Sequence, residues 1–348
     1  MRVALLLLGY AALVATAAPP LARAAWVVRA PRLAICVWQA LSVTVVVSAV
    51  LAGLALIVPT VPVSGSLAAL LQACALMLRE RYATPGGAVV AASGISLALV
   101  LLGRVGWCLA AGLLRARGAR SRHAAVLAMV GRTHVDPGVT VLDDDRPVAY
   151  CLPGHGHRIV LTSAALAVLE PEELDAVIAH ERAHIRQRHH LILVGAEALE
   201  RAFPRVPLFA VAAEQTRRLV EMAADDAAIA RTGPLSLAAA LVELAGSVAP
   251  AASLAASGGH AAGRVRRLLA GHRPLGRAAA WGGALVAGAL LAFPLVLAAQ
   301  PAVAATGMNS CPLREAPRSR SVSPECPAAF RGCLVCSPPS PKAHRYSG

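Results

Sequence analysis

Residues 171–190 read PEELDAVIAHERAHIRQRHH, and this stretch decides how the middle of the chain folds. Pro171 suits the first helical position, where its missing N–H costs nothing, and Glu172 and Glu173 lie against the positive end of the helix dipole. Leu174, Val177, Ile178 and Ile185 recur at helical spacing, which predicts an amphipathic helix running at least to Arg188. His180 and His184 stand four residues apart and so share one face, with Glu181 one position on. Two imidazoles one turn apart can grip a single ion. Zinc suits them, because a catalytic zinc takes three protein ligands and leaves its fourth position to water. The ion lowers the pKa of that water toward about 7, so Glu181 can act as the base that takes its proton and hands it to the leaving amine.

Five residues are a short signal. The basic neighbours Arg182, Arg186, Arg188, His189 and His190 would also suit a solvated helix face, so the decision turns on a third ligand. His190 lies at the offset of the extended motif HExxHxxGxxH, in which a glycine ends the helix and lets the third histidine swing back. Position 187 is Gln, and an unbroken helix would carry His190 about 9 Å beyond His184 and off its face. The other candidate is Glu221, on a helix predicted over about Ala212 to Ala230. Asp225 lies one turn on from Glu221, placed to hold the free nitrogen of a ligand histidine, and the small Ala223 and Ala224 let two helices approach.

Working outward, 57% of the 348 residues are hydrophobic and the mean hydropathy is +0.61, too apolar for an ordinary soluble chain. A span across lipid needs about 20 mostly apolar residues. Four stretches meet this, at about 3–22, 33–58, 85–103 and 278–299. Arg23, Arg29 and Arg32 mark one cytoplasmic loop; Arg115, Arg117, Arg120 and Arg122 after the third span and Arg273 and Arg277 before the fourth mark another. Residues 115–277 then form a cytosolic domain, both termini lie outside the cytoplasm, and the chain is a multi-pass protein of the cell membrane. The acidic residues agree, since 16 of the 19 fall between Arg115 and Arg277. The outward segment Thr60 to Thr84 holds an apolar patch from Leu67 to Leu78. Residues 300–348 form a short extracytoplasmic tail, irregular from Pro301 onward, whose Cys311, Cys326, Cys333 and Cys336 suit disulfides.

The net charge of +14 comes from 33 basic residues of which one is lysine, with aromatics at 3%. That composition argues against direct nucleic-acid binding, which needs stacking platforms, and favours contact with a bilayer surface. In the cytosolic domain, Val139–Leu142 and Arg158–Thr162 read as strands. His155 and His157 flank a turn glycine, Asp143, Asp144 and Asp145 read as a turn, and Cys151 stands alone. Arg264, Arg266 and Arg267 are expected to meet anionic lipid or domain carboxylates.

His180-Glu181-Arg182-Ala183-His184, the downstream Glu221-x-x-Ala224-Asp225 and the four spans together resemble the integral-membrane metallopeptidases of the BlaR/MecR antirepressor type, relatives of the Ste24/HtpX membrane gluzincins. The resemblance covers about Val3 to Ala299. It implies a multi-span α-helical membrane protein with an inserted, mainly helical α+β gluzincin-like zinc peptidase domain. Carried over by position, His180, His184 and Glu221 hold one Zn2+ per chain, Glu181 is the base, Asp225 supports a ligand, and substrate lies extended beside Arg158–Thr162. The implied activity is regulated cleavage of a cytosolic protein, such as a DNA-binding repressor. The β-lactam-sensing members carry a large penicillin-binding domain after the last span, for which this sequence has only about 48 residues. Two other readings stay open: a housekeeping membrane protease, and a zinc-stabilised signalling scaffold without turnover. Retention of Glu181 speaks against the scaffold, because a structural zinc needs no base.

Overall fold

The computed structural model describes residues 2–57, 86–133, 138–154, 158–246, 254–271 and 275–308. The segment Thr60 to Thr84, His155, His157 and the four tail cysteines lie outside the described residues.

Among the described residues, four helical stretches are long and apolar enough to cross a membrane: Arg2–Ala22, Pro31–Leu56, Gly87–Val130 and Arg277–Ala299. The first is α1 (Arg2–Thr16) followed by α2 (Ala18–Ala22), where Pro19 and Pro20 open a fresh helical turn. A short α3 (Trp26–Arg29) leads into α4 (Pro31–Ile57). α5 (Gly87–Val130) is one unbroken helix of 44 residues. At 1.5 Å per residue it is about 66 Å long, twice the hydrocarbon thickness, so the expected third span continues without a break beyond Arg104. Arg104 donates through Nε to the carbonyl of Ala202, and a Cβ on Gly112 would lie 3.0 Å from Arg201 Nη2. α4 and α5 cross at two glycines, where a Cβ on Gly53 would stand 2.9 Å from the Gly94 carbonyl oxygen. Small residues at such crossings let backbones meet.

A four-stranded sheet follows, β1 (Arg132–Thr133), β2 (Val139–Leu142), β3 (Ala149–Leu152) and β4 (Arg158–Thr162), in the order β1-β2-β4-β3. β4 pairs parallel with β2, Val139 opposite Ile159, and antiparallel with β3, Cys151 opposite Ile159. Ile159, Val160, Leu161 and Thr162 are buried accordingly. The expectation that substrate lies along Arg158–Thr162 is therefore corrected: both edges of that strand are already paired. The sheet ends on β3.

Thr162 caps α6 (Ser163–Val168) by accepting from the Ala165 amide. α7 (Pro171–Arg186) starts at the expected Pro171, with Glu173 accepting from the Glu170 amide at 3.0 Å in a capping box. It stops two residues short of the expected Arg188, and α8 (His189–Ala202) begins at once. α9 (Pro207–Thr232) is longer than the expected second helix because Pro207 serves as its first residue. α10 (Pro234–Gly246), α11 (Leu254–Leu269) and α12 (Arg277–Met308) complete the order. The expectation that the chain is irregular from Pro301 is corrected, since α12 carries helix through Pro301 to Met308.

Val139, Ile159, Leu161, Val177 and Ile178 join sheet and α7 in one buried cluster with Ala240 of α10. A second cluster packs Leu208, Ala212, Leu219, Val220, Met222 and Ala223 of α9 against Ala34, Ile35, Trp38 and Leu41 of α4.

Candidate metal centre

α7 and α9 lie side by side, with Ala176 and Ala179 of α7 sharing a buried cluster with Ala228 of α9. That close approach brings His180, His184 and Glu221 together, with one ligand atom of each lying within 4.8 Å of the others. Nε2 of His180 and Nε2 of His184 are 3.1 Å apart. Glu221 Oε2 is 3.6 Å from the first and Oε1 is 3.6 Å from the second. A tetrahedral ion with bonds near 2.0–2.1 Å separates its ligand atoms by about 3.3–3.4 Å. Two nitrogens and a carboxylate at these spacings fit zinc. No other such cluster occurs among the described residues.

Asp225 is fully buried, with Oδ1 3.0 Å from His180 Nδ1, a contact short in distance but out of line for a hydrogen bond. Sequence reasoning missed its other partner. Arg264 of α11 donates to Asp225 through Nε at 2.9 Å and Nη2 at 2.6 Å, and its Nη1 lies 3.2 Å from Glu221 Oε2. Arg267, one turn on, donates to Asp226 at 2.7 Å and to the Val28 carbonyl at 3.1 Å. The expectation of domain carboxylates thus holds for both residues.

Charge balance follows from these contacts. Burial pushes the His180 imidazole down, but the Asp225 and Glu221 carboxylates outweigh it and hold the ring up at about 9. Burial lowers His184. Burial would raise Glu221 and Asp225, yet His180 and Arg264 hold Glu221 at about 2, and Arg264 and His180 hold Asp225 at about 2. Glu221 keeps 39% of its side chain open to the cavity.

His190 is not part of the cluster, although the unbroken helix expected to carry it past His184 ends at Arg186. His189, read from sequence as a solvated neighbour, is instead buried, with Nδ1 3.0 Å from His184 Nδ1. Burial, with His184 alongside, pushes it down to about 4. Asp144 forms the expected turn, accepting from the Arg146 amide at 2.9 Å.

The centre opens into a cavity of about 400 Å3. It is lined by the polar His180, Glu181, His184, Glu221 and Arg264, by Ala149, Tyr150 and Cys151 of β3, and by the apolar Val177, Leu237, Leu241 and Leu244. Burial pushes the Cys151 thiol up to about 12, helped by the Glu181 carboxylate beside it.

Two histidines on one helix, a glutamate on a second and the Glu181 carboxylate in the same cavity are compatible with a zinc site of the metallopeptidase kind. Residues 115–242 match the model of Peptidase family M48, a family of zinc metallopeptidases. A 54-residue stretch is 44% identical to a Protease HtpX homolog of Thermoplasma acidophilum, covering 15% of this chain and 17% of that protein. The match thus spans about a sixth of that relative's length. No solved structure matches the chain. The family match, the relative and the apolar helices support a membrane zinc metallopeptidase.

Proposed function

We propose that the chain is a membrane-embedded zinc endopeptidase in which His180, His184 and Glu221 hold the ion, Glu181 is the base and Asp225 orients His180. The convergence of His180 Nε2, His184 Nε2 and the Glu221 carboxylate, one ligand atom of each within 4.8 Å of the others, on the Glu181-lined cavity carries this reading. When bound, zinc supplies Lewis acidity that activates water and polarises the scissile carbonyl. Glu181 takes a proton from the attacking water on its carboxylate and passes it to the departing amine nitrogen. Asp225, fixed by the Arg264 fork, keeps the His180 ring turned toward the ion.

Substrate lies extended along β3 rather than β4. β3 is at the end of the sheet and its residues line the cavity, so a peptide added there gains main-chain hydrogen bonds while passing over the centre. The apolar lining residues Val177, Leu237, Leu241 and Leu244 suit an aliphatic side chain of the substrate near the scissile bond.

Arginine placement supports a cytoplasmic position for residues 115–277 with both termini outside, and with it a cytosolic protein or segment as substrate. The BlaR/MecR resemblance favours regulated cleavage of a repressor. The likeness to a protease HtpX homologue favours broader membrane-associated proteolysis instead.

The test compares wild type with Glu181→Gln and Glu221→Ala, measuring bound zinc and cleavage of an unfolded protein together. Glu181→Gln is expected to keep zinc and lose cleavage by 10²–10⁴-fold, and Glu221→Ala to lose zinc. A wild type that binds no zinc overturns the proposal.

A further inference from the structure

Each ligand histidine points Nε2 at the Glu221 carboxylate and Nδ1 at a buried partner. For His180 that partner is Asp225, at 3.0 Å. For His184 it is His189, whose Nδ1 lies 3.0 Å from His184 Nδ1 with the rings edge to face at 4.8 Å between centroids. His189 is 2% exposed.

The placement depends on a break in the helix. Had α7 continued, position 189 would lie about 140° around the axis from His184, facing away. Instead α7 ends at Arg186, Arg188 takes φ 51°, and His189 opens α8 turned back toward the site. Arg188 is the one non-glycine residue with positive φ among those described, a conformation uncommon for a side chain of this kind.

Proton accounting gives the contact its meaning. An imidazole that offers Nε2 to a metal is neutral and carries its hydrogen on Nδ1. That N–H needs an acceptor, and the atom facing it is His189 Nδ1, which can accept only if His189 keeps its own hydrogen on Nε2. We infer that His189 is a positioning residue that accepts the His184 Nδ1–H and so fixes the tautomer and ring orientation with which His184 meets the metal. This rests on the zinc reading of the site.

The experiment uses full-length chain in detergent, loaded with zinc and titrated against a chelator, with cobalt replacing zinc for an absorption readout of ligand geometry. His189→Leu fills the space without an acceptor. His189→Asn places an oxygen close to where Nδ1 stands, and His189→Gln reaches beyond it. Partners that hold a metal-ligating histidine are worth 10–100-fold in metal affinity. The expected result is a loss of that size for Leu and Gln, with altered cobalt absorption, and near wild-type affinity for Asn. If His189→Leu retains wild-type affinity, or Asn falls as far as Gln, the inference fails while the zinc reading stands. Should the Leu variant not fold, the Asn and Gln pair decides alone. Absence of zinc from wild type overturns the site reading and this inference with it.

Discussion

Asp225→Asn removes one charge while keeping the side-chain shape. The carboxylate is 0% exposed, accepts from Arg264 at 2.6 and 2.9 Å, and lies 3.0 Å from His180 Nδ1. An amide there sets an NH2 against either the guanidinium or the imidazole, and leaves Glu221 as the carboxylate on Arg264, at 3.2 Å. Holding the carboxyl at about 2 rather than 3.8 corresponds to about 2 kcal/mol in favour of the charged form. Breaking a buried pair costs about 3–5 kcal/mol. The variant should therefore lose about 2–5 kcal/mol, with a 10–100-fold drop in zinc affinity. Because the folded pKa is depressed, this stabilisation is present above pH 3.8 and lost as pH falls to about 2. Unfolding of the zinc-free full chain, followed in both proteins from pH 7 to pH 2, tests it: the curves should converge at the acid end. Equal stability at pH 7, or a gap unchanged at pH 2, would refute the reasoning.

Zinc binding must displace a proton from His180, which is held up at about 9, so zinc affinity should rise about tenfold per pH unit below that value. Chelator competition from pH 6 to 9 checks this, and a flat profile contradicts it. With its thiol at about 12, Cys151 holds about one thiolate in ten thousand at pH 8 and should alkylate slowly. Glu181→Gln removes a carboxylate that raises the thiol, so mass spectrometry should find Cys151 alkylated several-fold faster in that variant than in wild type.

The spans, the HERAH helix and the Glu221–Asp225 turn were legible because each depends on spacing along a single helix. β2 and β4 were legible from their β-branched runs. β3 was not: AYCL has no clean alternation, and its role depends on the order β1-β2-β4-β3, which sequence order does not give. Substrate beside β4 was implied by the resemblance alone, and the strand's pairing on both edges, which sequence does not display, rules it out. Arg264 was hidden because its carboxylate partner stands 39 positions upstream, and an arginine near a span reads equally well as facing lipid. His189 was hidden by the run RQRHH, where nothing signals that an arginine will adopt positive φ. Pro207 was an available signal, since proline at a first helical position marks the true start of α9.

Placing the peptidase in residues 115–277 gives it enough chain for a core, but the packing of α9 shows that this core is shared. Glu221 and Asp225 occupy one face of α9, while Leu208, Leu219, Val220 and Met222 are buried in the cluster that contains Trp38, Ile35 and Ala34 of α4. Arg267 adds a polar tie to the Val28 carbonyl. Excising residues 115–277 would uncover those four side chains. At roughly 1.5–3 kcal/mol each, up to about 6–12 kcal/mol is at stake, comparable to the whole stability of a domain. The isolated segment should therefore show reduced helicity by circular dichroism and bind zinc far more weakly than the full chain. Adding back residues 1–57 as a separate chain in detergent should restore binding. A soluble 115–277 fragment holding one zinc with full-chain affinity would show instead that α9 keeps its ligands in place without the membrane helices.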